Sequence, residues 1–299
     1  MRRMTEAVSG LVNTDDDVRR AEPASPPKGA DLPRGGDLEP DRPDGVGKRH
    51  NCDVEWEDFD SGSYWNHNYR SLREDDREII RTVGSFFRKC FLGIPTDGLS
   101  GVDVGSGTNM YPALAMLPWC EKIELIDHSV RNVEWLQSEV SSLRSTWRPF
   151  WDELCSVGYE RKDFPRVRAA IAGSTRVVRS NVFELTENTY DIGTMFFVAE
   201  SMTDDENEFE KATECFLRSL RPGAPFAAAF MDSSEGYVVG DKLFPAVHEV
   251  TKTRVENVLA GLVADGEVTV DKIRVPPTDP LRDGYEGMLI AVGRTRGNP

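Results

Sequence analysis

The 299-residue sequence predicts an α/β fold, a seven-stranded and mostly parallel sheet flanked by helices, with the last strand antiparallel. Three observations predict it. Short apolar runs alternate with amphipathic segments of helical period from about residue 72 onward. The runs at 190–198 and 225–232 are almost unbroken, as in strands covered on both faces. Two strand-like segments close the chain with only a Pro-rich loop between them, which calls for an antiparallel partner.

The elements follow in order. Segment 72–92 carries Leu72, Ile79, Ile80, Val83, Phe86 and Phe87 at helical spacing and reads as a helix covering the sheet. Residues 99–104 form the first strand, 109–117 start a helix, 122–126 form the second strand, and 129–145 is a helix with Val133, Leu136 and Val140 on one side. The aromatic stretch 147–165 reads as a helix plus loop. Strands follow at 175–179 and 190–198. Helix 204–220 has acids in its first turn, Thr203 as its expected cap, and a buried stripe of Phe209, Ala212, Phe216 and Leu220. Then come strand 225–232, a helix near 246–263, and strands 267–275 and 286–294.

The segment Gly101-Val-Asp-Val-Gly-Ser-Gly-Thr-Asn-Met-Tyr111 runs from the first strand into a glycine turn and a helix. Gly105 and Gly107 let the backbone turn tightly and approach a ligand closely. Asp127 ends the second strand 20 residues past Gly107, where a carboxylate reaches a ribose diol. A dinucleotide site would need a small residue where Met110 stands, so that pyrophosphate could meet the helix. The pattern therefore favours a nucleoside cofactor without pyrophosphate, of which S-adenosylmethionine is the common one, over a nicotinamide dinucleotide.

Composition excludes other classes. The first 50 residues hold six Pro and six Gly but no aromatic residue, so 1–50 is expected to be a disordered tail and 51–299 the folded domain. The tail's charges nearly cancel, which leaves about −14 of the net −15 on the body; this disfavours nucleic acid. No apolar stretch is long enough for a membrane span, and no secretory signal is visible. The five cysteines lack paired spacing and the four histidines lack metal-ligand spacing, so a cytoplasmic protein without a metal is expected.

Gly105, Asp127, Asn181, Glu200 and Asp232 all fall at the carboxyl ends of expected strands, where ligands of such sheets bind. These residues, with the spacing of Tyr64, Tyr69, Gly105-Ser106-Gly107, Tyr111, Asp127 and Asn132, resemble the class I S-adenosylmethionine-dependent methyltransferases, which are Rossmann-like. Within that class they resemble the nicotinamide, phenylethanolamine and indolethylamine N-methyltransferase group, over residues 57–294. Glu286-Gly-Met-Leu289 also looks like the closing strand of that group.

The resemblance implies that Tyr64 and Tyr69 close over the methionine part of the cofactor, that the glycines line it, and that Asp127 holds the ribose. Tyr111, His128, Asn132 and Phe196 join that set, with Asn181 and Val182 beside the adenine where the group often has Asp. The expected acceptor set is Phe197, Glu200, Asp232, Ser233, Tyr237 and Glu286, with Glu200 and Asp232 orienting an amine and taking its proton; Asp283 is a weaker candidate. The segment 232–237 is shorter than the group's acceptor stretch, which leaves the acceptor open.

The expected enzyme is thus a monomer that methylates a small amine or heteroaromatic nitrogen. The alternatives are an O- or C-methyltransferase of a small metabolite, and a cofactor-binding module without activity.

Overall fold

The computed structural model describes residues 48–273, 281, 284 and 286–297. The expected tail therefore lies outside the described residues except for 48–50, and Asp283 lies outside them too.

The body is built on β1 (Ser100–Val104), β2 (Lys122–Asp127), β3 (Thr175–Arg179), β4 (Ile192–Phe196) and β5 (Pro225–Asp232). A two-stranded hairpin of β6 (Tyr237–Val239) and β7 (Lys242–Phe244) follows, and then β8 (Val263–Ile273) and β9 (Gly287–Thr295). The large sheet has the order β3-β2-β1-β4-β5-β9-β8. The first five strands in that order are parallel; β9 is antiparallel to both neighbours. Seven strands with an antiparallel closing strand match the expectation from sequence. Strand order reverses beside β1, between it and β4, and that places the crevice at the tips of β1, β2 and β4.

The helices are α1 (Ser61–Asn68), α2 (Glu74–Phe91), α3 (Tyr111–Met116), α4 (Val130–Ser141), α5 (Arg148–Ser156), α6 (Phe164–Ser174), α7 (Glu206–Ser219) and α8 (Lys252–Ala260). One face of the sheet packs on α2 to α6 through Ile79, Phe87, Leu114, Leu136, Phe150 and Ile171; the other packs on α7 and α8 through Phe209, Phe216 and Leu259. With a core on each face, β4 and β5 are buried at every residue, and hence they read as unbroken apolar runs.

Three local expectations change. Asp205, not Thr203, caps α7 by accepting the Asn207 N–H, while the Thr203 hydroxyl accepts from the Asp205 N–H one turn earlier. Residues 164–174 form a helix capped by Asp163, with Pro165 in the first turn where a missing N–H costs nothing. Residues 237–244, between the strand at 225–232 and the expected helix, form the hairpin β6-β7, whose signal in the sequence is the Gly240-Asp241 pair within Val-Val-Gly-Asp-Lys-Leu-Phe. Among the described residues no helix is long and apolar enough to cross a membrane, and no group of His, Cys, Asp and Glu could hold a metal ion.

Candidate functional site

The floor of the site is the turn after β1. Gly105 and Gly107 have φ of +64° and +54°, a backbone region that side chains strain. A Cβ at Gly105 would also lie 2.5 Å from the Val198 side chain. Ser106 fastens the turn on both sides: its N–H donates to Ile126 O at the end of β2 and its hydroxyl donates to Asp103 O.

Beside this turn Asp127 is buried, and all its recorded partners are donors. Gly107 N–H donates to Oδ2 (2.8 Å), while Ser129 N–H (2.9 Å) and Asn132 Nδ2 (3.3 Å) donate to Oδ1. Burial raises the Asp127 carboxyl above its ordinary range, and these donors work against that shift. Asp103, deeper under β1, is pushed up to about 7 by burial and accepts the Thr194 hydroxyl.

The walls come from β3, β4 and the segments after them. Asn181 spends its carbonyl oxygen on the Phe183 N–H, and Val182 packs beside it. Phe197 has φ of +61° and donates its N–H to Ala229 O, so the chain turns sharply out of the sheet just after β4. Such a conformation costs a bulky residue on the order of 1–3 kcal/mol and is commonest at functional sites.

The roof is made of two chain segments. Tyr64 lies on α1 and Tyr69 just after it; Tyr237 of β6 meets Tyr64 edge to face at 6.1 Å and donates its hydroxyl to Ser201 O. Phe244 stacks on Tyr237 (5.5 Å) and on Trp56 (5.6 Å) and meets Phe59 edge-on at 5.2 Å. Lys242 pairs with Asp58 across the same junction. The Arg144 guanidinium packs over the adjacent rings of Trp65 of α1 and Trp135 of α4 and holds the helix from outside. Upstream, Arg49 and Asn51 donate their N–H groups to Asp204 and Glu208, so the approach to the roof is tied to the start of α7.

Floor, walls and roof surround one cavity of about 790 Å³, part of it open to solvent. Of the candidates named from sequence, Tyr64, Tyr69, Gly105, Ser106, Gly107, Asp127, His128, Asn132, Asn181, Val182, Phe196, Phe197 and Tyr237 line it. Tyr111 does not. It is buried beneath the floor with its hydroxyl beside Asp76, and it packs on Phe150, Phe196 and Tyr69.

Glu200, Asp232, Ser233 and Glu286 also lie outside the cavity wall. The fully buried Glu200 carboxylate accepts the Met231 N–H and so fixes the tip of β5. Asp232 forms an ion pair with Lys272 at 2.5 Å, and Lys272 also reaches Glu286. This pairing crosses β9 at Gly287, opposite Asp232, where there is no side chain in the way. Ser233 donates its hydroxyl to Asp232. Sequence reading missed Asn51, Trp56, Phe59, Ser129, Ser201 and Met202, which all line the cavity. A signal for two of them was present: Trp56 and Phe59 flank the acidic pair Glu57-Asp58 just before Tyr64, an aromatic cluster outside any helical or strand period.

The site fits an adenosine-bearing sulfonium cofactor. A glycine cradle that a Cβ would fill, a carboxylate fixed by three donors beside it, and a cavity reaching an aromatic chamber are what such a ligand requires.

The structure resembles an S-adenosylmethionine-dependent methyltransferase of Methanosarcina mazei (13% identity, 70% of this chain and 98% of that one, TM-score 0.47). It also resembles the N-methyltransferase NodS of Bradyrhizobium japonicum, solved with S-adenosyl-L-homocysteine (13%, 78% and 92%, 0.45). A third likeness is to a Burkholderia thailandensis 1,6-didemethyltoxoflavin-N1-methyltransferase (15%, 74% and 80%, 0.43). A search of curated proteins found no match. The model of the NNMT/PNMT/TEMT family matches residues 51–291, which is most of the chain and includes every part of the cavity just described; the protein therefore belongs to that family and is an S-adenosylmethionine-dependent methyltransferase.

Proposed function

We propose that the protein transfers a methyl group to the nitrogen of a small amine or heteroaromatic acceptor. The observation that carries this reading is the aromatic chamber of Phe59, Tyr64, Phe197 and Tyr237, in the same cavity as Asp127 and the glycine turn. When bound, the cofactor supplies a methyl group activated by a positively charged sulfur, so the protein needs to add little acid or base chemistry.

The residues then have three tasks. Asp127 holds the ribose diol through Oδ2, the oxygen with the single recorded donor, while Asn181 offers its amino group to a ring nitrogen of the base. Tyr64 and Tyr69 exclude water from above. The aromatic faces hold the acceptor in line, where positioning supplies several kcal/mol, and they favour the positive charge that a nitrogen gains on methylation.

Oxygen acceptors usually need a base to remove a proton. Among the described residues lining the cavity the one histidine is His128, next to Asp127 at the ribose end. This favours nitrogen. Glu200 and Asp232 act in this reading without touching the acceptor: Glu200 fixes the tip of β5, and Asp232 sets the charge at the rim together with Lys272. Five free cysteines fit a reducing cytoplasm.

The test is turnover with S-adenosylmethionine and a panel of primary amines, pyridine-type heterocycles, phenols and catechols, read by release of S-adenosylhomocysteine and product mass. Methylated amines or heterocycles are expected. Turnover confined to the phenols and catechols would overturn the assignment to nitrogen.

A further inference from the structure

Ser61 is the first residue of α1 and sits one helical turn before Tyr64, on the same face. Its hydroxyl lies 2.7 Å from Asn132 Oδ1, and Asn132 Nδ2 lies 3.3 Å from Asp127 Oδ1. All three side chains are buried, at 7%, 5% and 7% exposure, so solvent cannot easily replace either bond.

The direction of this chain of bonds is fixed by chemistry. An ionised Asp127 only accepts, so the Asn132 amide must turn its amino group toward it. The amide oxygen then faces Ser61, whose hydroxyl must donate. Asp60, capping α1 with both carboxylate oxygens on Ser63, holds the start of the helix rigid around Ser61.

We propose that Ser61 is a positioning residue, which links the seating of the lid helix to the orientation of the carboxylate that grips the cofactor ribose. With α1 seated, Ser61 holds the Asn132 amide, and that amide together with Ser129 N–H occupies Asp127 Oδ1 and leaves Oδ2 aimed at the ligand. Linkage is reciprocal: a ribose on Asp127 favours the seated helix, and the seated helix tightens the ribose. The inference rests on the reading of Asp127 as the ribose ligand.

The test is calorimetric titration of the full chain and its variants with S-adenosylhomocysteine, with the thermal midpoint of each variant as a folding control. Ser61→Ala is expected to weaken binding about three- to tenfold, the range of one neutral hydrogen bond, with a cooperative unfolding transition and only a small drop in the midpoint. In turnover it should raise KM for S-adenosylmethionine and leave kcat at saturation alone, and Ser61→Thr should restore KM. In an Asn132→Ala background the Ser61→Ala penalty should vanish, because the link is already cut.

Wild-type affinity in Ser61→Ala together with weak binding by Asp127→Ala would refute the link alone. The same penalty in both backgrounds would also refute it. Wild-type affinity in Asp127→Ala would overturn the ribose reading and the link with it.

Discussion

The floor and the roof of the cavity are built by different means. The floor is fastened by main-chain N–H groups of neighbouring segments: Ser106 N–H donates to the Ile126 carbonyl, and Gly107 and Ser129 N–H donate to the Asp127 carboxylate. The roof is held by aromatic rings and one exposed ion pair between segments 56–69 and 237–244, and its cluster of Phe59, Tyr237, Val239 and Phe244 is separate from both sheet cores. A floor tied into strands keeps its shape whether or not a ligand is present. A roof of a few ring contacts, each worth roughly 0.5–1.5 kcal/mol beyond burial, can open without disturbing the sheet.

The sharpest way to break this contrast is Gly105→Val. A branched side chain at φ +64° facing Val198 should cost roughly 3 kcal/mol or more and abolish cofactor binding, read by calorimetry and urea denaturation. Ordinary affinity in this variant would show that the turn is not the floor.

Next in size is Asp127→Ala, which should weaken S-adenosylmethionine binding by roughly 1.5–3 kcal/mol, the range of charged hydrogen bonds, and should also lower the urea midpoint, because Gly107 N–H, Ser129 N–H and the Asn132 amide lose their acceptor.

Asp76→Asn tests the layer beneath. Burial pushes the Asp76 carboxyl from 3.8 up to about 8, and Asp75 adds to the shift. The folded state therefore holds a proton that the unfolded chain releases, and stability from this group is greatest below about pH 4 and lost as pH rises toward about 8. The Asn variant should be level with wild type near pH 4 and more stable by several kcal/mol at pH 8.5, read from urea midpoints. An equal difference at both pH values would count against a buried neutral acid.

The smallest effect is expected in the roof. Phe244→Ala should raise KM several-fold and cost about 1 kcal/mol of stability or less, and a double-mutant cycle with Phe59→Ala should return a coupling of roughly 0.5–1.5 kcal/mol. A collapse of the whole fold would show that roof and floor are one unit.

The same contrast explains what could be read from the sequence. The floor was legible because its partners are close in sequence and each has a distinctive residue: two glycines after an apolar strand and an acid ending the next. The roof was half legible. Tyr64 and Tyr69 could be placed by their spacing to the glycines, but the contact of Tyr64 with Tyr237 joins positions more than 160 residues apart, and no local pattern encodes such a meeting. Glu200 shows a different obstacle. Counting from β4 puts an acid at the strand tip, yet the left-handed turn at Phe197 redirects the chain and sends that side chain under β5. Asp232 sits at the end of β5 as read, but its charge is met by Lys272 from two strands away.

The placement of β9 has a consequence for how the protein is made. Its residues 287–295 fill the gap between β5 and β8, with eight residues registered against β5. During synthesis β5 stays an open edge, Pro-Phe-Ala-Ala-Ala-Phe-Met, until residues 287–295 have left the ribosome. A premature stop before 287 would thus release a nascent chain with its stickiest strand unpaired, a substrate for chaperones and proteases rather than a shortened enzyme.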